Sequence, residues 1–250
     1  MIRPGLVSVT FRDKSADEIL RLAVSCGLSG IEWGENAHVM PGDAVGAAEL
    51  YRKTIACGLQ VSGYGSYFRL CTQESPGEAF AASLVSAEAL HAPYLRIWAG
   101  NKPSAEADRD FRLKAAREAR LVCDMAADKG IKVALEWHKN TLTDTNESAF
   151  AFLEETDHPN LYCLWQPTVA LSMEERYNGL KQLGDRLLNL HVYYWPDGAR
   201  APLADGLADW RYYLGAVSPE QDRYAELEFV KDNTEEQLAQ DAKALHELLG

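Results

Sequence analysis

The sequence predicts a (β/α)8 barrel, and three observations carry that prediction. Short apolar runs alternate with longer amphipathic ones from one end of the chain to the other. Eight such strand–helix units fit into 250 residues, a usual size for one barrel and hence for a single domain over 1–250. No Gly-rich phosphate-binding turn follows the first strand, where Arg12-Asp13-Lys14-Ser15 stands instead, which argues against a doubly wound dinucleotide fold.

The strands are expected at Leu6–Phe11, Gly30–Gly34, Gln60–Tyr64, Tyr94–Ala99, Lys132–His138, Asn160–Gln166, Leu187–Trp195 and Arg223–Val230. The intervening helices are expected at about Ser15–Cys26, Val45–Cys57, Gly77–His91, Ala107–Lys129, Asn146–Thr156, Met173–Leu183, Asp209–Ala216 and Glu235–Leu249. Ser15 before Asp17-Glu18 and Thr234 before Glu235-Glu236 are helix starts, with a capping hydroxyl followed by acids that suit the positive end of the helix dipole. Gly27, Gly58 and Gly130 each sit just past a helix, where a left-handed cap favours glycine. Pro93 and Pro159 stand just before strands, where a helix must already have ended. The long stretch Pro202-Leu203-Ala204-Asp205-Gly206 delays the seventh helix.

Composition narrows the partners. The formal charge is −12, and no Lys/Arg block offsets it locally, so a nucleic-acid backbone is repelled. No apolar run approaches the roughly 20 residues of a membrane-spanning helix, and Met-Ile-Arg-Pro-Gly lacks a signal-peptide pattern. Cys26, Cys57, Cys71, Cys123 and Cys163 are odd in number and scattered, without a C-x-x-C pair, which predicts buried thiols in a reducing, cytoplasmic setting.

In a barrel, alternate strand residues point inward and outward, and the outward set packs under the helices. The fifth strand divides into Val133, Leu135 and Trp137 against Ala134, Glu136 and His138. The seventh divides into Leu188, Leu190 and Val192 against Asn189, His191 and Tyr193, and the eighth sets Ala225, Leu227 and Phe229 against Glu226 and Glu228. The inward sets therefore bring Glu136, Gln166, His191 and Glu228 to similar depth near the C-terminal ends of four successive strands, where barrel enzymes place their chemistry. Two carboxylates, an imidazole and an amide form an N/O site for a divalent cation, which relieves the repulsion of two inward carboxylates. Such sites accept Mg²⁺, Mn²⁺, Co²⁺ or Zn²⁺ with little distinction in sequence.

These residues also carry a resemblance. Cys26-Gly27-Leu28-Ser29-Gly30-Ile31-Glu32, Leu135-Glu136-Trp137-His138, Leu190-His191-Val192-Tyr193, Pro202-Leu203-Ala204-Asp205-Gly206 and Glu226-Leu227-Glu228-Phe229 are similar to segments of the xylose-isomerase-like TIM barrels, which include sugar isomerases, ketose 3-epimerases and inosose dehydratases. The similarity runs over essentially the whole chain, with spacings of 30, 25 and 37 residues between the matching ligand positions. The family holds its metal with Glu, Asp, His and Glu, and the resemblance places these on Glu136, Gln166, His191 and Glu228. Gln166 is a departure, since an amide oxygen coordinates without contributing charge; Val169 departs too, standing where the ketose 3-epimerases have a substrate-binding His.

The resemblance implies a metal-dependent isomerase or epimerase of a small sugar or polyol-derived ketone, with Glu136 and Glu228 as the acid/base pair and the cation stabilising the enediolate. Substrate contacts are expected from Glu32, Arg96, Trp98, His138, Tyr193 and Lys231, with Tyr64, Tyr67, Trp195 and Trp210 adding aromatic surface for sugar C–H faces. The structural alternative pairs the two carboxylates with Arg96 or Lys231 and leaves His191 as a satisfied core group. Three other functions compete: an inosose-dehydratase-like lyase, which begins with the same enolisation; a DNA-repair barrel, which needs more histidines than the first four strands supply; and a metal-free binding protein, which Gln166 would permit. Association into a homo-oligomer is common among relatives of this kind.

Overall fold

Strand closure is the dominant feature of the computed structural model, which describes residues 1–250. β1 (Ile2–Val7), β2 (Gly30–Gly34), β3 (Gln60–Arg69), β4 (Tyr94–Trp98), β5 (Lys132–Glu136), β6 (Leu161–Trp165), β7 (Leu187–Val192) and β8 (Arg223–Leu227) run parallel, and β8 pairs back onto β1. Between and after them lie α1 (Ala16–Ser25), α2 (Ala44–Ala56), α3 (Pro76–Ala89), α4 (Arg109–Ala127), α5 (Asn146–Thr156), α6 (Met173–Leu183), α7 (Leu207–Leu214) and α8 (Glu235–Leu249). This is the (β/α)8 barrel that the alternation predicts.

Local sequence accounts for the helix limits. Ser15 and Ser172 each form a capping box, with Glu18 and Glu175 returning the bond to the cap backbone. Gly27, Gly58 and Gly130 turn the chain out of α1, α2 and α4 with φ of +66°, +76° and +69°, as the sequence predicts.

The largest departure is at β1, expected at Leu6–Phe11. It starts at Ile2 and gives way to a 3-10 turn over Ser8–Phe11. Pro4-Gly5 has the composition of a breaker, yet Pro4 contributes its carbonyl to Ser29 N at 2.9 Å, and a side chain at Gly5 would meet Glu226 Cγ at 2.9 Å. β3 runs five residues past its expected end, whereas β5 to β8 stop before His138, Gln166, Tyr193 and Glu228. Those residues leave the ladder and line the mouth.

Apolar packing lies mainly between strands and helices, where Trp33, Trp137, Trp165 and Trp210 are fully buried. The lumen holds a separate small apolar cluster, Tyr94, Ala134 and Leu164. Polar side chains occupy much of the remaining axis, so the barrel is built to hold a site rather than only a core. The cysteine expectation is corrected in part: all five are free, but only Cys123 and Cys163 are buried, and Cys57 is exposed on the last turn of α2. No helix is long and apolar enough to cross a membrane.

Candidate metal and active site

Glu136 closes β5 and Glu228 lies one residue past β8, with His191 on β7 between them. The Nδ1 of His191 is 3.7 Å from Glu136 Oε1 and 3.6 Å from Glu228 Oε2, too far for a hydrogen bond. It is buried and has no other partner. An orphaned nitrogen aimed between two carboxylates is costly unless something occupies the gap. The three donor atoms lie within 4.8 Å of one another, a separation that suits ligands around one small divalent cation. The residues therefore fit a cation.

The two carboxylates are held very differently. Glu136 Oε2 accepts from Arg96 Nη1 and Trp98 Nε1, and Oε1 accepts from Gln166 Nε2 at 3.0 Å. Burial raises its pKa, but the Arg96 guanidinium and then His191 outweigh that, and the carboxyl stays well below the usual range. Glu228 accepts no side-chain hydrogen bond. Burial, reinforced by the Glu136 charge and opposed by His191, pushes its pKa up to about 7. Phe229, directly after it, adopts φ +51°, a strained conformation for a bulky side chain, with its amide held by Thr10 Oγ1 at 3.1 Å.

Gln166, expected as the fourth ligand, lies beside Glu136. Its amide nitrogen donates to Glu136 and, at 2.8 Å, to the carbonyl of Trp137. Both partners are acceptors, so the amide turns its nitrogen toward them here, and the oxygen expected as a ligand faces away.

Below His191 the lumen continues as a second polar group. His191 Nε2 meets Glu32 Oε2 at 3.2 Å, and the Tyr94 hydroxyl donates to the same oxygen at 2.7 Å. Glu226 accepts from Ser62 and, at 3.2 Å, from Asn189. Burial, then the nearby Glu32, raise the Glu226 pKa to about 8. Space for these side chains comes from Gly5 and Gly65; a Cβ on Gly65 would lie 2.5 Å from Glu32 Oε1.

Above the ion site a cavity of about 550 Å³ opens at the mouth. Of the expected substrate contacts, Arg96, Trp98, His138 and Tyr193 line it. Glu32 and Lys231 do not. Glu32 is fully buried beneath His191, and Lys231 starts a 3-10 turn beyond the end of β8. Among the expected aromatics, Tyr67 and Trp195 also line the cavity, whereas Tyr64 bonds Glu35 and Trp210 bonds the Tyr193 carbonyl in the outer core.

Sequence reasoning placed Glu226 inward without giving it a role, and missed Tyr94 as an axial group and Arg12, Arg69, Lys139 and Thr168 as mouth residues. Inward alternation on β8 pointed to Glu226; Arg69 lies on the unforeseen extension of β3, and the loop residues Arg12, Lys139 and Thr168 offered no comparable period. A second cavity of about 600 Å³ lies at the N-terminal end, but its Arg3 is paired with Asp222 at 3.0 Å, and barrel chemistry belongs to the opposite face.

A closed parallel barrel with a buried Glu–His–Glu triad that suits a divalent cation, next to a cavity at its C-terminal mouth, has the layout of the barrel enzymes. Residues 20–248 match the model of the xylose isomerase-like TIM barrel, and the chain belongs to that family. It is 30% identical over 165 residues to a 3-dehydroshikimate dehydratase of Bacillus anthracis, a match spanning 63% of this chain and 59% of that protein. It is also 30% identical over 118 residues to an L-ribulose 3-epimerase of Methylomonas sp. (strain DH-1), covering 44% of this chain and 39% of that one. The crystal structure of a probable 3-DHS dehydratase from Bacillus anthracis superimposes with a TM-score of 0.83 at 21% identity, covering 98% of this chain and 99% of the other.

Proposed function

We propose that this barrel is a divalent-cation-dependent lyase that removes water from a small hydroxylated ketone. One observation carries the choice of lyase. Glu136 is tied by three donors, while Glu228 is tied by none, so the site has one carboxylate free to move a proton. A bound cation would polarise the substrate carbonyl and stabilise the enediolate charge.

Glu136 Oε1, His191 Nδ1 and Glu228 Oε2 would hold the cation. Glu228 takes the proton from the carbon next to the carbonyl. His138 Nδ1 donates to the Lys139 carbonyl at 2.7 Å, which frees Nε2; as imidazolium it protonates the hydroxyl on the next carbon. The carbon–oxygen bond then breaks, water leaves and the double bond forms. Tyr193 and Trp195, tilted by 32° with centroids 4.4 Å apart, give a ring-shaped substrate an apolar wall. The family relative that acts on 3-dehydroshikimate supports this reading.

Epimerisation is the second reading, favoured by the match to the L-ribulose 3-epimerase. It requires a second mobile acid/base on the opposite face, and Glu136 is poorly suited to that while Arg96 and Trp98 hold it. The discriminating experiment incubates the Mn²⁺-loaded protein in deuterated water with 3-dehydroshikimate and with a panel of ketoses. Water loss with a new conjugated absorbance supports the lyase; deuterated epimers with no elimination support the epimerase and overturn the first reading.

A further inference from the structure

We propose that Arg12, Tyr67 and Arg69 form an anion subsite at the mouth, so that the substrate carries a carboxylate or phosphate besides the carbonyl it enolises. The inference rests on the reading above only for where the reacting carbon lies.

The chain is acidic overall, at −12, yet one wall of its cavity gathers three guanidiniums. Arg12 and Arg96 lie 5.4 and 5.9 Å from the centroid of the Tyr67 ring. Arg69 and Arg96 lie 4.2 and 4.6 Å from that of Trp98, and the two rings meet edge to face at 5.4 Å. Arg96 has its counter-charge in Glu136. Arg12 and Arg69 have neither a carboxylate partner nor any side-chain hydrogen bond, although acids outnumber bases 37 to 25 in the chain. Holding three like charges around two rings is repulsive, and ring contacts return only about 0.5–2 kcal/mol each.

Ring contacts also leave two atoms unexplained. The Tyr67 hydroxyl and Arg96 Nε are buried without a partner, and both residues line the cavity beside Arg12 and Arg69. Unpaired donors next to unpaired cations are complementary to one acceptor-rich, negatively charged group. Arginine forks match carboxylate and phosphate oxygens in two-point fashion, and the tyrosine hydroxyl supplies a further donor. The wall adjoins the Arg96–Glu136 pair, so an anion bound there anchors the substrate with its carbonyl toward Glu136, His191 and Glu228.

The test is calorimetric, on the Mn²⁺-loaded protein, with 3-hydroxybenzoate, its uncharged counterpart 3-hydroxybenzamide, and phenyl phosphate as probes. The expected result is that an anion binds about tenfold more tightly than the amide, as a charge-assisted contact should. That preference should shrink to about twofold in Arg12→Gln and Arg69→Gln and weaken with added salt in the unaltered protein. The stronger of the two anions identifies carboxylate or phosphate as the natural group. Equal affinity for amide and anions, absence of anion binding, or a preference unchanged by salt and by both substitutions overturns the subsite. The salt series stands even where a variant fails to fold. Deuterium exchange without anion preference sinks this inference alone; anion preference without exchange on any carbonyl substrate sinks only the enolisation reading.

Discussion

Arg96 and Glu136 form an ion pair inside the barrel, their side chains only 5% and 4% exposed. Removing one member of such a pair leaves a buried charge without compensation, at a cost of about 3–5 kcal/mol. Arg96→Met is therefore expected to lower stability by about that amount, while the double variant Arg96→Met/Glu136→Leu recovers much of it. Urea denaturation of the four proteins in the cycle checks this. Simple additivity of the two single losses would show that the pair does not act as a unit.

The same pair separates the two carboxylates in function. Glu228→Gln removes the free base but leaves His191 its Glu32 partner and the Arg96–Glu136 pair intact, so turnover should fall by at least about 10²–10⁴-fold while stability falls less than in Glu136→Gln. Glu136→Gln also ends turnover but leaves Arg96 unmatched, so it should lose stability as well. Thermal melts beside deuterium-exchange rates separate the two effects. Wild-type activity in either variant contradicts the assignment.

Cation binding should depend on pH with a definite sign. Glu228 titrates at about 7, raised mainly by burial. Burial disfavours charge on His191, but the facing Glu228 and Glu32 carboxylates more than reverse that and raise its pKa. Below these values protons occupy the lone pairs that a cation needs; above them the lone pairs are free. Mn²⁺ should thus bind more weakly at pH 6 than at pH 8 and release protons on binding. Calorimetry in two buffers of different ionisation enthalpy measures both quantities. A pH-independent affinity, with no proton release, would place the ion elsewhere.

Much of this architecture is legible in the sequence, and the reasons are physical. Strand alternation has a period of two, so one inward residue on β5, β7 or β8 assigns the rest of its strand, and Glu136, His191 and Glu228 converge as that period requires. Helix limits follow from Ser15, Ser172 and the three capping glycines, which act over a few residues. Periodicity ends where strands end. Lys231, three residues past Glu228, lies outside the strand and does not line the cavity; the positive φ of Phe229 turns the backbone between the two. Arg12 enters the mouth from a turn with no repeat of its own, and Arg69 from the stretch of β3 that runs past its expected end at Tyr64. The amide orientation of Gln166 depends on the Trp137 carbonyl, a backbone contact across two strands that residue types do not encode. β1 was obscured by Pro4-Gly5, whose role is set by the partner strand and by the bulk of Glu226.

The central claim is that one cation joins Glu136, His191 and Glu228. Titration of Mn²⁺ into the metal-free protein, followed by electron paramagnetic resonance, tests it most directly. One saturable site is expected in the unaltered chain and in Glu226→Gln, and loss of that site in Glu228→Gln and in His191→Phe. Binding that persists in both of the latter, or that never occurs in the unaltered chain, would contradict it.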